Sequence, residues 1–295
     1  MTDAAAQKPF PHFLEDFTSR LQHLFHVRAD IDQLSINRGL PPFIMREIMA
    51  ENPLATYIPT RYGGRGGKID EGLGLLAAAS YESLPLALGF GINWALFLQP
   101  VSKYAQDEAK PDIFNGFIRD RKMGGLMITE PDYGSDALHM QSCYSEADDH
   151  CHIQGTKHWA GLTGWADYWL LTARRKAPSG DLHRDIDFFV CDVSAPQQNI
   201  EVEEFYENLG IYMLPYGRNR LDVRVPSRQK LQPQSTGIKM MLDLLHRSRM
   251  QFPGMAMGFL QRLLDEAVGH CKQRQVGGRS LFSYDQVQQR IAQLQ

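Results

Sequence analysis

Apolar residues recur at helical spacing through the first part of the chain. They stand three or four residues apart, which brings their side chains to one face of an α-helix. This pattern predicts mostly helix from Phe13 to about Lys122. The recurring positions are Phe13, Phe17, Leu21 and Leu24, followed by Leu73, Leu76, Ala77 and Tyr81.

Short apolar runs replace the helical pattern from about Gly125 to Pro233. Each run is bounded by Gly, Pro, Asp or Ser, which favour turns, so the runs are predicted to be strands. Short strands at this spacing are typical of a small barrel or a sandwich. The runs cover residues 151–155, 168–172, 187–191 and 221–225.

Helical spacing returns from Ser235. Pro253 lacks an N–H, so it is predicted to kink or split the helix that contains it. A second helix is predicted to begin near Tyr284, after the turn at Gly277–Gly278. The apolar positions are Leu244, Leu245, Phe259, Leu260, Leu263 and Leu264 in the first helix, and Val287, Ile291 and Leu294 in the second.

The apolar pattern of the second of these helices runs to Gln295 and predicts a face that needs a partner. A lone amphipathic helix is only marginally stable in water. We therefore expect further sequence that would cover this face.

Composition excludes some classes of function. The formal charge of −3 and the pI near 6.4 do not favour nucleic acid, whose binding needs a concentrated basic face. The first residues, Met1–Ala5, lack the basic start of a signal peptide. The sequence has no run of about eighteen uncharged apolar residues, which disfavours a membrane span. The longest apolar stretch, Ala87–Leu98, is predicted to be a buried helix. The four cysteines form no CxxC pair, which fits reduced thiols in a cytoplasmic protein.

Two segments carry weaker signals. The glycine-rich segment Arg61–Gly67 is predicted to be a surface loop rather than a phosphate-binding loop, because no clear strand precedes it. The segment Asp148–His152 offers metal-ligand atoms, but adjacent residues on a strand point to opposite faces. A polar turn is therefore favoured there, and we predict no metal site.

The most informative segment is Met127–Asp136, with Gly155–Trp159 about twenty residues further on. A flavin needs hydrogen bonds at its pyrimidine edge, N–H groups at its phosphates and an apolar or aromatic wall at its ring. A Thr on a strand, a Pro-to-Gly-Ser turn and a Trp on a neighbouring strand can supply all three.

These residues resemble the acyl-CoA dehydrogenase family. The family's TEPxxGSD signature stands as Thr129–Asp136, and its GxKxW as Gly155–Trp159. Five motifs fall in the family's order across nearly the whole chain. The other three are Pro59–Gly64 for PxxYGG, the strand end Val223–Pro226, and the helical positions Arg249, Gln273, Arg274 and Gln286.

The resemblance implies an α+β fold with three parts. Residues 1–124 would form an N-terminal all-α domain, and residues 125–233 a middle β-barrel that holds FAD and substrate. Residues 234–295 would be the start of a C-terminal helical bundle that is truncated in this chain.

The resemblance also implies a FAD site. Thr129 would hydrogen-bond the flavin pyrimidine edge, and Ser135 would lie where the FAD phosphates and the CoA arm meet. Trp159 would pack against the isoalloxazine. The other cofactor-binding positions so implied are Leu126, Met127, Ile128, Gly134, Ala160, Gly161, Val276 and Gln286.

A second group of implied positions concerns the substrate and a partner subunit. His246, Ser248 and Arg249 would face the substrate together with Ser135, and Arg274 would reach FAD bound by another subunit. Each residue alone also has an ordinary structural interpretation. Trp159 would be core, Ser135 a turn or helix cap, and both arginines solvated charges. The register of the motifs favours the functional interpretation.

The implied activity is FAD-dependent α,β-dehydrogenation of an acyl thioester, with hydride transfer to flavin N5. The thioester would be carried by CoA or by an acyl carrier protein, within fatty acid or lipid metabolism. The implied partners are an electron-transfer flavoprotein as acceptor and further copies of the chain, as a homodimer or homotetramer.

Two positions depart from the family pattern. Gly161 stands where the family has Thr or Ser, so a hydroxyl near flavin N5 is lost. The carboxylate that removes the α-proton is not identifiable, and at its alternative place on the first long C-terminal helix stands Ser248. Asp243 and His246 are conceivable but unmatched substitutes, so the catalytic residue is unassigned. The alternative is a truncated or degenerate member that binds FAD or acyl-CoA without turnover.

Overall fold

The computed structural model describes residues 8–36 and 40–294. The prediction that there is no signal peptide concerns Met1–Ala5, which lie outside the described residues. Gln295 also lies outside them.

Helices form the N-terminal part of the chain, as the apolar spacing predicts. Phe13, Phe17 and Leu21 all lie on the buried face of the first helix. The helices are α1 (Phe10–His23), α2 (Ile31–Ile36), α3 (Pro42–Ala50), α4 (Ile69–Glu82), α5 (Leu84–Gly91), α6 (Gln99–Tyr104) and α7 (Lys110–Asp120).

Helices α5 and α6 form one continuous rod, because a π-helical segment, Ile92–Leu98, joins them. The rod Leu84–Tyr104 is the one helix among the described residues that is long and apolar enough to cross a membrane. However, 72% of its most apolar window is buried inside the molecule. The prediction of a buried helix over Ala87–Leu98 is therefore confirmed.

The middle of the chain is a curled seven-stranded sheet with strand order β1-β4-β2-β3-β7-β6, in which β5 pairs with β4. The four predicted strands all lie within it. The strands are β1 (Gly124–Met127), β2 (Cys143–Ala147), β3 (His150–Gly161), β4 (Tyr168–Arg175), β5 (Asp187–Asp192), β6 (Gln198–Phe205) and β7 (Tyr216–Pro226).

Strand β4 connects the two hydrophobic cores. Its Leu170 belongs to the core shared with the helices, whereas Trp169 and Leu171 belong to the core enclosed by the curled sheet. Successive side chains of a strand point to opposite faces, so one strand can serve both cores. This accounts for the unbroken apolar run in the sequence.

Helices return after the sheet. A short 3₁₀ turn, Arg249–Gln251, separates the first two of them, and Pro253 occupies the first turn of the second. The predicted split at Pro253 is confirmed. The elements are α8 (Gly237–Ser248), α9 (Phe252–Gln273), the hairpin β8 (Gln275–Val276) and β9 (Arg279–Ser280), and α10 (Asp285–Ala292). The division of the chain into three domains at residues 124 and 233 stays a prediction.

The glycine-rich segment does not present its N–H groups to a ligand. The N–H groups of Gly64, Arg65, Gly66 and Gly67 donate to carbonyls of residues 55–59. The segment is also not wholly on the surface, because the Arg65 guanidinium is buried and donates to Glu71 at 3.0 Å. The buried arginine was not expected from the sequence.

Candidate functional site

A single backbone hydrogen bond brings the two informative motifs together. The N–H of His158 donates to the carbonyl of Thr129 at 2.9 Å. Thr129, which follows β1, is partly buried, and the adjacent Trp159 on β3 is 50% exposed. The end of β1 and the last part of β3 therefore lie side by side, as the sequence predicts.

Trp159 sits on a β-bulge. Lys157 is opposite Asn219 on β7, and Ala160 is opposite Gly217, so β3 has one more residue than β7 over this interval. Trp159 has φ +54°, in the left-handed region that non-glycine residues rarely adopt. Bulges redirect side chains and are frequent beside active sites. Here the bulge turns an indole toward solvent rather than into the core.

Tyr206 lies just beyond the end of β6 and covers part of this indole, with ring centroids 4.6 Å apart. Its hydroxyl is 2.7 Å from Nδ1 of His158. Burial, with the nearby Arg218, lowers the pKa of His158. The neutral imidazole can therefore exchange a hydrogen bond with the phenol near neutral pH. Motif comparison missed Tyr206, because its contact with Trp159 depends on the pairing of β6 with β7.

Gly161 lies where the sheet meets the helical rod. A Cβ there would stand 2.8 Å from Cδ1 of Ile92 and 3.2 Å from the ring of Tyr216. A serine or threonine would crowd both side chains. The loss of the hydroxyl at this position thus has a steric reason in this chain.

The turn after Thr129 is open to solvent. Glu130 and Tyr133 pair through two backbone hydrogen bonds of 3.2 Å, and this fixes the turn. Gly134 and Ser135 follow it and are exposed, and a Cβ added at Gly134 would meet nothing within 4 Å. The predicted phosphate-side residues therefore lie where a ligand can reach them.

A buried ion pair joins the two motifs. The Lys157 ammonium is 3.0 Å from Oε1 of Glu130, and both side chains are almost fully buried. Burial lowers the pKa of Lys157 to about 8, although the Glu130 charge acts to raise it. Burial alone would raise the pKa of Glu130, but the Lys157 charge and hydrogen bonds from Ser142 and Gln141 hold it below its ordinary value.

The predicted substrate-facing residues lie at the end of α8. His246 and Arg249 are exposed, and the Ser248 hydroxyl donates to the Leu245 carbonyl of its own helix at 2.8 Å. Asp243 accepts from Lys103, Tyr104 and Arg247 at 2.7–3.0 Å. Although burial opposes it, these hydrogen bonds lower the pKa of Asp243 to about 2. Such a carboxylate is a weak base.

A separate group of predicted residues lies beyond the end of α9. Arg274, Val276 and Gln286 are exposed. Arg274 is the C-cap residue of α9, and Val276 lies in the hairpin that follows. This hairpin is tied to the residue before α10, since the Tyr284 hydroxyl donates to the Val276 carbonyl at 2.8 Å. These elements pack on one another and on α9. They form a second cluster, and their predicted role toward another subunit stays a prediction.

The residues around Thr129 and Trp159 suit FAD. The Thr129 hydroxyl makes no hydrogen bond within the described residues, and the half-exposed indole offers an aromatic wall beside it.

The part of the chain that the structure describes holds no group of three or more His, Cys, Asp or Glu side chains placed to bind a metal. In the segment Asp148–His152, Asp148 lies in the turn between β2 and β3, with φ +48°. Nε2 of His152 is 2.6 Å from Oδ1 of Asp222.

Comparison with known proteins identifies the family. Residues 125–223 match the acyl-CoA dehydrogenase middle domain, and residues 235–295 match the C-terminal domain. A glutaryl-CoA dehydrogenase from Desulfococcus multivorans is 27% identical over 246 residues, which cover 81% of this chain and 61% of that protein. An L-prolyl-[peptidyl-carrier protein] dehydrogenase from Pseudomonas fluorescens is 24% identical. The match covers 82% of this chain and 63% of the length of that protein.

The fold comparison agrees with the sequence comparison. The structure of butyryl-CoA dehydrogenase from Megasphaera elsdenii matches with a TM-score of 0.84 at 20% identity, over 100% of this chain and 75% of that one. The chain therefore spans less than two thirds of the length of the two relatives and three quarters of the solved structure. With both domain matches in order and the fold shared throughout, the chain belongs to the acyl-CoA dehydrogenase family.

Proposed function

We propose that this chain binds FAD between the end of β1 and the bulge of β3. The hydrogen bond from His158 to Thr129 carries this proposal, because it puts a free hydroxyl next to a half-exposed indole. Thr129 would hydrogen-bond the pyrimidine edge together with the backbone of residues 126–128. Trp159 would cover the ring, and Gly161 would offer only its N–H.

The proposed reaction is the α,β-dehydrogenation of an acyl thioester. FAD, when bound, would supply the acceptor for the hydride that leaves the β-carbon, at flavin N5. The exposed Ser135 would bind the thioester's carrier arm, and the end of α8 would face the acyl group. The family supports this reaction, and the named relatives include proteins that act on CoA and on peptidyl-carrier thioesters.

A second candidate function is binding of FAD and acyl-CoA without turnover. The state of two α8 side chains favours it, because neither Ser248 nor Asp243 is a competent base. The Ser248 hydroxyl donates to its own helix, and Asp243 has a pKa of about 2. A base with so low a pKa takes a proton from carbon poorly.

Flavin reduction separates these functions. The purified chain would be saturated with FAD and then titrated anaerobically with short, branched, glutaryl and long-chain acyl-CoAs. Loss of the oxidised flavin band supports the dehydrogenase. A band that shifts on thioester addition but persists supports binding alone, and a chain that takes up no FAD contradicts both.

The first testable prediction concerns Thr129. Thr129→Ala removes the free hydroxyl and should weaken FAD binding about tenfold, the worth of one good hydrogen bond. Thr60→Ala, at an exposed threonine outside the Thr129–Asp136 and Gly155–Trp159 motifs, is the matched control and should leave the Kd unchanged. Both Kd values follow from quenching of flavin fluorescence. Equal affinity in the two variants would remove Thr129 from the site.

The partners are part of the same proposal. An electron-transfer flavoprotein would reoxidise the flavin, and a homodimer or homotetramer would bring Arg274 of one copy to FAD of another. A cytoplasmic location accords with unpaired cysteines, since Cys143, Cys151, Cys191 and Cys271 are all free thiols.

A further inference from the structure

Three consecutive carbonyl groups in the proposed flavin-facing segment each have a fixed hydrogen-bond donor. The Met127 carbonyl accepts from the Thr172 hydroxyl at 3.0 Å, and the Ile128 carbonyl accepts from the Lys157 ammonium at 3.1 Å. The Thr129 carbonyl accepts from the His158 N–H at 2.9 Å. The backbone of residues 127–129 is thus held by groups from β3 and β4.

Lys157 is the centre of this arrangement. Its side chain has no solvent exposure, and the ammonium also contacts Oε1 of Glu130 at 3.0 Å and Oγ1 of Thr172 at 3.1 Å. One cation therefore acts on two of the three carbonyls, on Ile128 directly and on Met127 through Thr172. Its strand neighbour His158 supplies the donor to the third.

Glu130 extends the same arrangement to the far side of the turn. Its Oε2 accepts from the N–H of Gln141 at 2.6 Å, and its Oε1 accepts from the N–H of Ser142 at 2.9 Å. The carboxylate thus joins the end of the flavin-facing segment to the chain that enters β2. Movement of either charge would shift Thr129, which lies between Ile128 and Glu130 in the sequence.

Stability alone does not account for a pair of this kind. Taking two charges out of water costs several kcal/mol per ion, and well-packed apolar residues often stabilise a protein as well or better. We propose that Lys157 and Glu130 are positioning residues that hold residues 127–129 in the geometry that binds FAD. This role rests on the proposed function, because it presupposes FAD at this segment.

The positioning role predicts that the affinity for FAD depends on pH, through the charge state of Lys157. The pKa of about 8 leaves the ammonium largely protonated at pH 7 and largely neutral at pH 9. The groups that face it from the packed elements are Glu130, Thr172, Met140 and the Ile128 carbonyl, and Glu130 is the charged one among them. A neutral amine beside that carboxylate would hold the Ile128 carbonyl less firmly.

The test measures FAD affinity of the full chain against pH. The Kd of the wild-type chain should rise about tenfold between pH 7 and pH 9, since only the protonated form binds well. Lys157→Met should bind FAD at least about tenfold more weakly at pH 7 and lose this pH dependence. Lys110→Met is the matched control, because Lys110 is also buried and paired, with Asp107, and should keep the wild-type profile.

If Lys157→Met does not fold, a second variant still tests the positioning role. The double variant K157M/E130Q removes both charges and leaves no buried ion unpaired, so it should fold, with weak and pH-independent FAD binding. A folded Lys157→Met or double variant with wild-type affinity would overturn the positioning role alone. A wild-type chain that binds no FAD at either pH would overturn the proposed function and this role with it.

Discussion

At the scale of single residues, Gly161 shows that a departure from a motif depends on its neighbours. The residue is buried at the junction of the sheet and the helical rod, and Ile92 and Tyr216 fill the space that a side chain would need. The lost hydroxyl is thus linked to the size of residue 92, which lies far away in the sequence.

This link predicts a measurable coupling. Gly161→Ser should lower the free energy of unfolding by about 1 kcal/mol, the lower end for overpacking, because the closest contact is the terminal methyl of Ile92. Ile92→Val removes that methyl, so the double variant should be more stable than the sum of the single effects. Urea unfolding of the four proteins measures the coupling. Strict additivity would show that Ile92 does not limit the site.

At the scale of elements, α9 approaches α4 through two glycines one helical turn apart. A Cβ at Gly254 would stand 2.7 Å from the Leu73 carbonyl oxygen, and one at Gly258 would stand 1.9 Å from the Ala77 carbonyl oxygen. The two helices therefore pack nearly backbone to backbone. The other side of α9 exposes apolar residues such as Leu260, at 61%.

The same substitution should have opposite effects at two positions of α9. Gly258→Ala collides with the backbone of α4, which cannot move aside as a side chain can, and should cost about 3 kcal/mol or more. Gly269→Ala meets nothing within 4 Å and should stabilise the helix by about 0.5–1 kcal/mol. Chemical denaturation of both variants provides the comparison. A tolerated alanine at 258 would mean that the helices are further apart than described.

At the scale of the whole molecule, Asp243 joins the C-terminal helices to the N-terminal ones. It is on α8 and accepts hydrogen bonds from Lys103 and Tyr104 of α6, as well as from Arg247 of its own helix. A single carboxylate therefore connects parts of the chain that are some 140 residues apart.

The contribution of this connection to stability should depend on pH. The pKa of Asp243 is about 2 in the folded chain and 3.8 as its ordinary value, so its contribution is complete above pH 3.8 and is lost as pH falls through 2. Asp243→Asn should lower the free energy of unfolding by on the order of 1 kcal/mol at pH 7. The effect is modest because solvent screens the partly exposed ion pairs of Asp243. The difference from wild type should shrink as pH falls below 3.8 and be lost below pH 2. Asp132→Asn, at an exposed turn, should show no such dependence, and a gap that persists in acid would contradict the assignment.

Local patterns were sufficient for much of the architecture. Helical spacing around Phe17 and the apolar run around Leu170 depend on near neighbours in the chain, so the element types follow from them. The prediction of a split at Pro253 succeeded for the same reason, since a missing N–H acts within one turn. The motifs at Thr129 and Trp159 also lie side by side, as the sequence predicted.

Contacts between distant residues were not available to the sequence alone. The bulge at Trp159 depends on the register of β3 against β7, and the cover by Tyr206 depends on the register of β6. The role of Lys157 depends on two carbonyls and a carboxylate that meet only when β1, β3 and β4 pair. The amino-acid sequence by itself determined which segments are helix and strand and which carry the family's motifs, because those follow from short-range periodicity and spacing. Only the tertiary structure decided which polar groups are buried and paired, because that depends on which distant surfaces pack together.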